Sequence, residues 1–151
     1  MLKKKLTILI LILVFLLALS FIALNFTSQD EDVKIGQIYY NLPKGYHIDG
    51  INEVGDITIS NGYEKVYLTY YNNQNINKYI NKYKQDKENK NETVIIENFT
   101  RNNTLIYKST DIKSEVKHYW FIKDKKTYSI YIWEKNSDIE NIFNDLFDSI
   151  H

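Results

Sequence analysis

The stretch "DITISNGYEKVYLTYYNNQNINKYINKY", residues 56–83, carries two hydrophobic periods in succession. In its first part apolar and polar residues alternate. Ile57 and Ile59 fall on one face, Asn61-Gly62 intervenes, and then Val66, Leu68 and Tyr70 share a face opposite Tyr67, Thr69 and Tyr71. A period of two belongs to a strand with one buried side, and Asn-Gly between two such runs is the strongest short hairpin signal. After Tyr71 the period lengthens. Ile76, Tyr79, Ile80 and Tyr83 stand at i, i+3, i+4 and i+7, one apolar stripe along a helix, with Asn73 or Asn75 to cap its start. The charged run from Lys84 to Glu92 reads as a solvated helix end and loop. A hairpin that runs into an amphipathic helix predicts paired antiparallel strands with a helix laid on the sheet.

Working outward, "QIYYNLP" (37–43) reads as a short strand ended by Pro43, the chain's one proline. The glycines are Gly36, Gly45, Gly50, Gly55 and Gly62, so Lys44 to Gly55 is expected to be the one long irregular loop. Downstream, "ETVIIENF" (92–99) and "TLIYKS" (104–109) are strands joined by an Asn-rich turn. "EVKHYWFIKD" (115–124) and "KTYSIYIWE" (126–134) form another hairpin around Asp124-Lys125-Lys126. The last segment, "NSDIENIFNDLFDSI" (136–150), predicts a helix with Ile139, Ile142, Phe143, Leu146, Phe147 and Ile150 on one stripe and a capping box of Ser137 with Glu140. The expected fold is α+β: a mostly antiparallel sheet of about six to seven strands, with two amphipathic helices on one or both faces.

The chain opens "MLKKKLTILILILVFLLALSFIALNFTSQDEDVK". Lys3, Lys4 and Lys5 precede residues 6–24, where Thr7 and Ser20 are the polar interruptions. About 20 apolar residues span a bilayer as a helix. A signal peptide cleaved near Ser20, after Ala18-Leu19, competes with an uncleaved anchor. The apolar run continues through Phe21, Ile22 and Leu24, which favours the anchor. The lysines then stay cytoplasmic and the remainder lies outside. This gives an anchor at 1–24, a polar tether at 25–34 and an extracytoplasmic domain at 35–151.

Composition excludes several kinds of chemistry. There is no cysteine, hence no thiol nucleophile, disulfide or Cys-ligated metal. Nineteen basic residues balance nineteen acidic ones, without the basic excess of a nucleic-acid binder. Heavy use of Asn, Ile and Lys fits AT-rich codons and a low-GC bacterium. No GxSxG elbow, GxGxxG or phosphate loop is present. The histidines, His47, His118 and His151, lack the spacing of a zinc site, and neither metal nor cofactor is expected. His118 shares its strand face with Val116, Trp120 and Ile122, the place of a satisfied, partly buried histidine. His47, Asp49, Glu53 and Asp56 crowd the 46–56 loop, where acid–base chemistry competes with the plainer role of a charged surface loop.

The aromatics carry more weight. Thirteen tyrosines and two tryptophans supply apolar bodies with polar tips, which suit interfaces. Tyr67 and Tyr71, with Tyr131 and Trp133 of the last hairpin, fall on the sheet face opposite Val66, Leu68 and Tyr70. Either they form an exposed surface for a partner, or the far face is covered too. Tyr46, His47 and Asp49 of the glycine-bearing loop complete the candidate binding set.

The order of elements, from "YYNLPKGY" through a hairpin and helix to "HYWFIKDKKTYSIYIW" and a closing "FNDLFDSI", resembles the PsbP-like fold, named after an extrinsic subunit of photosystem II. One departure is "VIIENFTRNN", where that family often has a glycine in the strand after the first helix. The LPxGY opening and the final Ser-Ile also resemble outer domains of Firmicutes anti-sigma-type membrane proteins. Both resemblances imply binding or assembly beside a membrane and neither implies a catalytic centre. The expected function is therefore a membrane-anchored, non-enzymatic domain that recognises a protein or envelope partner. The alternatives are a small envelope enzyme using the 46–56 loop, or a bacteriocin-immunity or stress-sensing protein.

Overall fold

A computed structural model describes residues 32–111, 116–133 and 138–151, together with Val14. Residues 6–24 and Ser137 lie outside the described residues, Val14 excepted. Among the described residues no helix is long and apolar enough to cross a membrane.

The alternating runs become strands. β1 (Asp32–Ile35) and β2 (Ile38–Asn41) pair as a two-stranded ribbon around Gly36-Gln37. Gly36 has φ +59°, and a Cβ there would meet the Tyr70 ring at 2.6 Å, so the ribbon presses directly on the main sheet. That sheet holds β3 (His47–Ile51), β4 (Ile57–Ser60), β5 (Lys65–Tyr71), β6 (Val94–Arg101), β7 (Thr104–Asp111), β8 (Val116–Lys123) and β9 (Lys126–Trp133). Its spatial order is β3-β4-β5-β9-β8-β7-β6, with every neighbouring pair antiparallel. Among residues 32–151 the described helices are α1 (Ile76–Glu88) and α2 (Ile139–Asp148). The fold is α+β with one large antiparallel sheet and two helices, as the sequence predicts.

Two elements arise where none was expected. β1 lies largely within the polar stretch assigned to the tether. β3 lies within the supposed irregular loop. On β3, Ile48 pairs with Ile59 and Ile51 with Ile57, so three steps on one strand match two on the other. A bulge at Asp49 absorbs the extra residue and hides the period of two. The Asn61-Gly62 turn is present as a four-residue loop in which the Asn61 side-chain oxygen accepts from the Tyr63 and Glu64 amides. Asn102-Asn103 and Asp124-Lys125 make two-residue turns with positive φ and no glycine.

The helix caps divide between expectation and surprise. Asn75 caps α1, accepting from the Lys78 amide. The N-cap of α2 is Asp138, whose side chain makes no capping hydrogen bond, and Ser137, the expected capping partner of Glu140, lies outside the described residues. The Glu140 carboxylate receives Lys108 at 2.5 Å and Lys117 at 3.1 Å, and these two ammonium groups hold its pKa down at about 2.

Register divides the sheet into two faces. On one, Ile59, Val66, Leu68, Ile130, Ile132, Tyr119, Phe121 and Ile106 join Ile35, Ile38 and Tyr40 of the ribbon and Ile142, Phe143, Leu146 and Phe147 of α2 in the main core. Each fully buried side chain of this kind contributes about 1.5–3 kcal/mol. The chain end closes this side: Tyr39 and His151 exchange backbone hydrogen bonds of 3.0 and 3.2 Å, and their rings stack. On the other face, Ile76 and Ile80 of α1 bury Trp120, with Tyr79, Tyr83, Ile96 and Tyr107 around them.

Candidate binding surface

The width of the cover decides what the second face can do. Seven strands spaced about 4.8 Å apart span roughly 29 Å, whereas one helix with its side chains is about 10–12 Å across. On the ribbon side α2 and the two ribbon strands share the work. On the other side α1 is alone among the described elements. Its stripe settles over Trp120, Tyr107 and Ile96, and Tyr79 reaches Tyr71 in a stack of 3.7 Å. Beyond α1, in the β3-β4-β5 half and at the end of β9, His47, Lys65 and Trp133 are exposed, Thr58, Tyr67, Thr69 and Tyr131 are half-buried, and Ser60 is buried.

That partly open half collects much of the predicted set. Tyr67 pairs across the strands with Thr58 and Tyr131, and its ring meets Tyr131 edge-on at 5.7 Å. Trp133 lies diagonally beyond, opposite Lys65, and is 55% exposed. His47 is exposed on the outer strand, paired with Ser60. Lys65 donates to Asp49 at 2.9 Å, and this carboxylate raises the lysine pKa. Exposed as it is, the pair orders the rim and contributes little stability. The surface is thus an aromatic centre with a polar border.

Two candidates sit elsewhere. Tyr71 is half-buried beneath Tyr79. Tyr46 packs against the main core and donates its hydroxyl to Glu64 in the β4–β5 turn. It braces that turn.

The alternative acid–base set is spread along an edge. His47, Asp49 and Glu53 are all exposed, and Asp49 is engaged by Lys65. Asp56 accepts from the Asn52 side chain at 3.0 Å, while Asn52 accepts from the Val54 and Asp56 amides. These residues build a turn. Neither of the two cavities beside α2 is lined by any of them. Among the described residues no group of three or more His, Asp or Glu side chains is placed to hold a metal ion.

A polar cluster beneath α1 went unforeseen. His118 was expected to be satisfied. Its ring lies stacked on Trp120 at 3.8 Å and edge-on to Tyr83 and Tyr131 at 5.1 and 5.3 Å, and both ring nitrogens are buried with no hydrogen-bond partner among the described residues. An aromatic cage offers no acceptor for an imidazolium, so burial drives the pKa down to about 3. Nearby, the fully buried carboxylate of Asp111 takes the Lys87 ammonium at 2.7 Å, and Glu92 binds the same ammonium at 2.7 Å. Burial pulls the Lys87 pKa down, but its two carboxylate partners outweigh this and the net shift is upward. Lys87 therefore belongs to the interior, not to a solvated helix end.

No family model and no curated protein matches the chain. Among solved structures, the solution structure of cyanobacterial PsbP (CyanoP) from Synechocystis sp. PCC 6803 matches with a TM-score of 0.53. The match covers 83% of this chain and 94% of that one, at 8% identity. The fold is PsbP-like, as the order of elements implied. At that identity the likeness is one of fold alone.

Proposed function

We propose that this PsbP-like chain is a non-enzymatic binding domain anchored by residues 6–24 outside the cell membrane of a low-GC bacterium. In this reading the open half of its α1-side face docks a protein partner. The observation that carries the proposal is Trp133, left exposed beside Tyr67 in a domain that buries Trp120, Tyr40, Tyr119 and Tyr128 almost completely. Trp and Tyr dominate the energetics of protein interfaces, and a polar rim around them is the usual anatomy. Lys65, Asp49, His47 and Thr58 supply that rim. The positively charged start, the apolar run and the short tether keep the domain close to the bilayer.

The test is a photo-crosslinking amino acid placed at position 133 of the full chain in the cell envelope, with position 95 on the opposite sheet face as control. Ile95 is also exposed, so the two sites differ in location more than in access. A discrete protein adduct from position 133, absent from position 95 and lost in Tyr67→Ala, is expected. Equal adducts at both positions, or none at 133, contradict the surface.

A further inference from the structure

We propose that the cavity between α2 and strands β6–β8 binds a small monocarboxylate with an apolar body. This site lies on the ribbon-side face, across the sheet from the partner surface, and stands independently of it. The observation behind it is an unpartnered group. Tyr119 is 1% exposed, and its ring stacks on Phe143 at 3.8 Å. Its hydroxyl oxygen is buried with no hydrogen-bond partner among the described residues, and the residue lines a cavity of about 280 Å³. Phenylalanine would fill the same core position without the desolvated hydroxyl. An unpartnered phenol set in the wall of a cavity is accounted for by a ligand acceptor that reaches it.

The lining defines that acceptor. Phe99, Phe143 and the Tyr119 ring make an apolar floor, with Phe99 edge-on to Phe143 at 6.2 Å. Around it stand Lys108, Arg101 and Asn144. Lys108 gives one of its three N–H groups to Glu140. Arg101 holds Asp148 through Nε and one terminal nitrogen, at 2.7 and 2.5 Å, so its remaining N–H groups stay available. Glu140 is shared between Lys108 and Lys117, which keeps it ionised and occupied. Burial, reinforced by the Glu140 charge, raises the Tyr119 pKa, so the hydroxyl holds its proton and acts as a donor. Donors thus predominate around the cavity, and its own lining sets two cations, Lys108 and Arg101, against one carboxylate, Glu140, leaving one positive charge in excess. A single carboxylate matches that charge, and the aromatic floor asks for an apolar body attached to it. The volume sits near the low end for ligand pockets, roughly 300 Å³, which limits the ligand to the size of a phenylalkanoate.

The experiment titrates the isotope-labelled full chain with 3-phenylpropionate, its neutral amide and acetate, followed by backbone amide shifts and calorimetry. Saturable binding of 3-phenylpropionate with a Kd of about 1 mM or tighter is expected, from the efficiency typical of ligands this small. Shifts should centre on Phe99, Arg101 and Asn144. The amide and acetate should each bind roughly tenfold more weakly, because each lacks one of the two recognised features. Tyr119→Phe should keep the fold and lose roughly tenfold in affinity. Lys108→Met, which leaves the ring packing in place, should lose at least as much, and it decides the matter if the Phe variant is misfolded. Absence of saturable binding, equal binding of acid and amide, or unchanged affinity in the folded variants would overturn the assignment.

Discussion

The two faces of the sheet are covered by different means, and the contrast separates a continuous core from a partly open face. The ribbon side is closed by α2, β1, β2 and the C-terminal residue, and its core is a continuous set of aliphatic and aromatic side chains. The α1 side has three buried hydrophobic residues in its cluster, a caged histidine, a buried carboxylate–ammonium pair and an uncovered aromatic half. The cover by α1 buries these polar groups and leaves Trp133 exposed at its side. The same sheet thus has one side closed as a continuous core and one side that the proposed partner would use.

The largest expected difference between the faces is in core truncation. Phe143→Ala on the ribbon side should cost about 3–5 kcal/mol, and Ile80→Ala under α1 about 2 kcal/mol, read from urea unfolding. Equal costs would erase the distinction. Next comes the buried pair. Asp111→Ala leaves Lys87 with Glu92 alone and should cost about 2–3 kcal/mol, since Lys87 keeps some solvent access. Lys87→Met with Asp111→Leu should recover most of that loss. A double variant no better than the single would show that the pair contributes something that apolar packing cannot replace.

The smallest effect is a pH dependence peculiar to the α1 side. The His118 pKa falls from 6.5 in the unfolded chain to about 3 in the folded one, so between these values the unfolded state binds the extra proton. Its contribution is complete above pH 6.5 and is lost as pH falls, at up to about 1.4 kcal/mol per pH unit. Glu140 and Asp148 on the ribbon side, whose pKa values are held down by their cationic partners, lose their contributions only at lower pH, where carboxylates titrate. Unfolding at pH 5 and pH 7 should therefore differ for the native chain and hardly at all for His118→Phe. An unchanged pH dependence in that variant would contradict the cage.

Much of this was legible in the sequence because it depends on period. The β4–β5 hairpin, the stripe of α1, the last four long strands and the stripe of α2 all follow from residues two, three or four apart. β3 was not legible, because the bulge at Asp49 puts Ile48 and Ile51 out of phase with a strand. β1 was hidden in a polar run, where Val33 and Ile35 alone mark the buried side. In the candidate set, Tyr67 and Trp133 could be placed on a shared face from alternation, but not the reach of α1, which takes Tyr71 and leaves Trp133. Nor could alternation reveal that Tyr46 would brace a turn through Glu64. The polar cluster was missed because Lys87 and Asp111 are far apart in sequence, and each by itself reads as a surface charge.

Native-state hydrogen exchange tests the division between the faces most directly. Amides of α1 should exchange through a local opening well below the global unfolding free energy, and the protected amides of α2 only with global unfolding. Exchange of both helices in a single cooperative unit, or of α2 before α1, would contradict it.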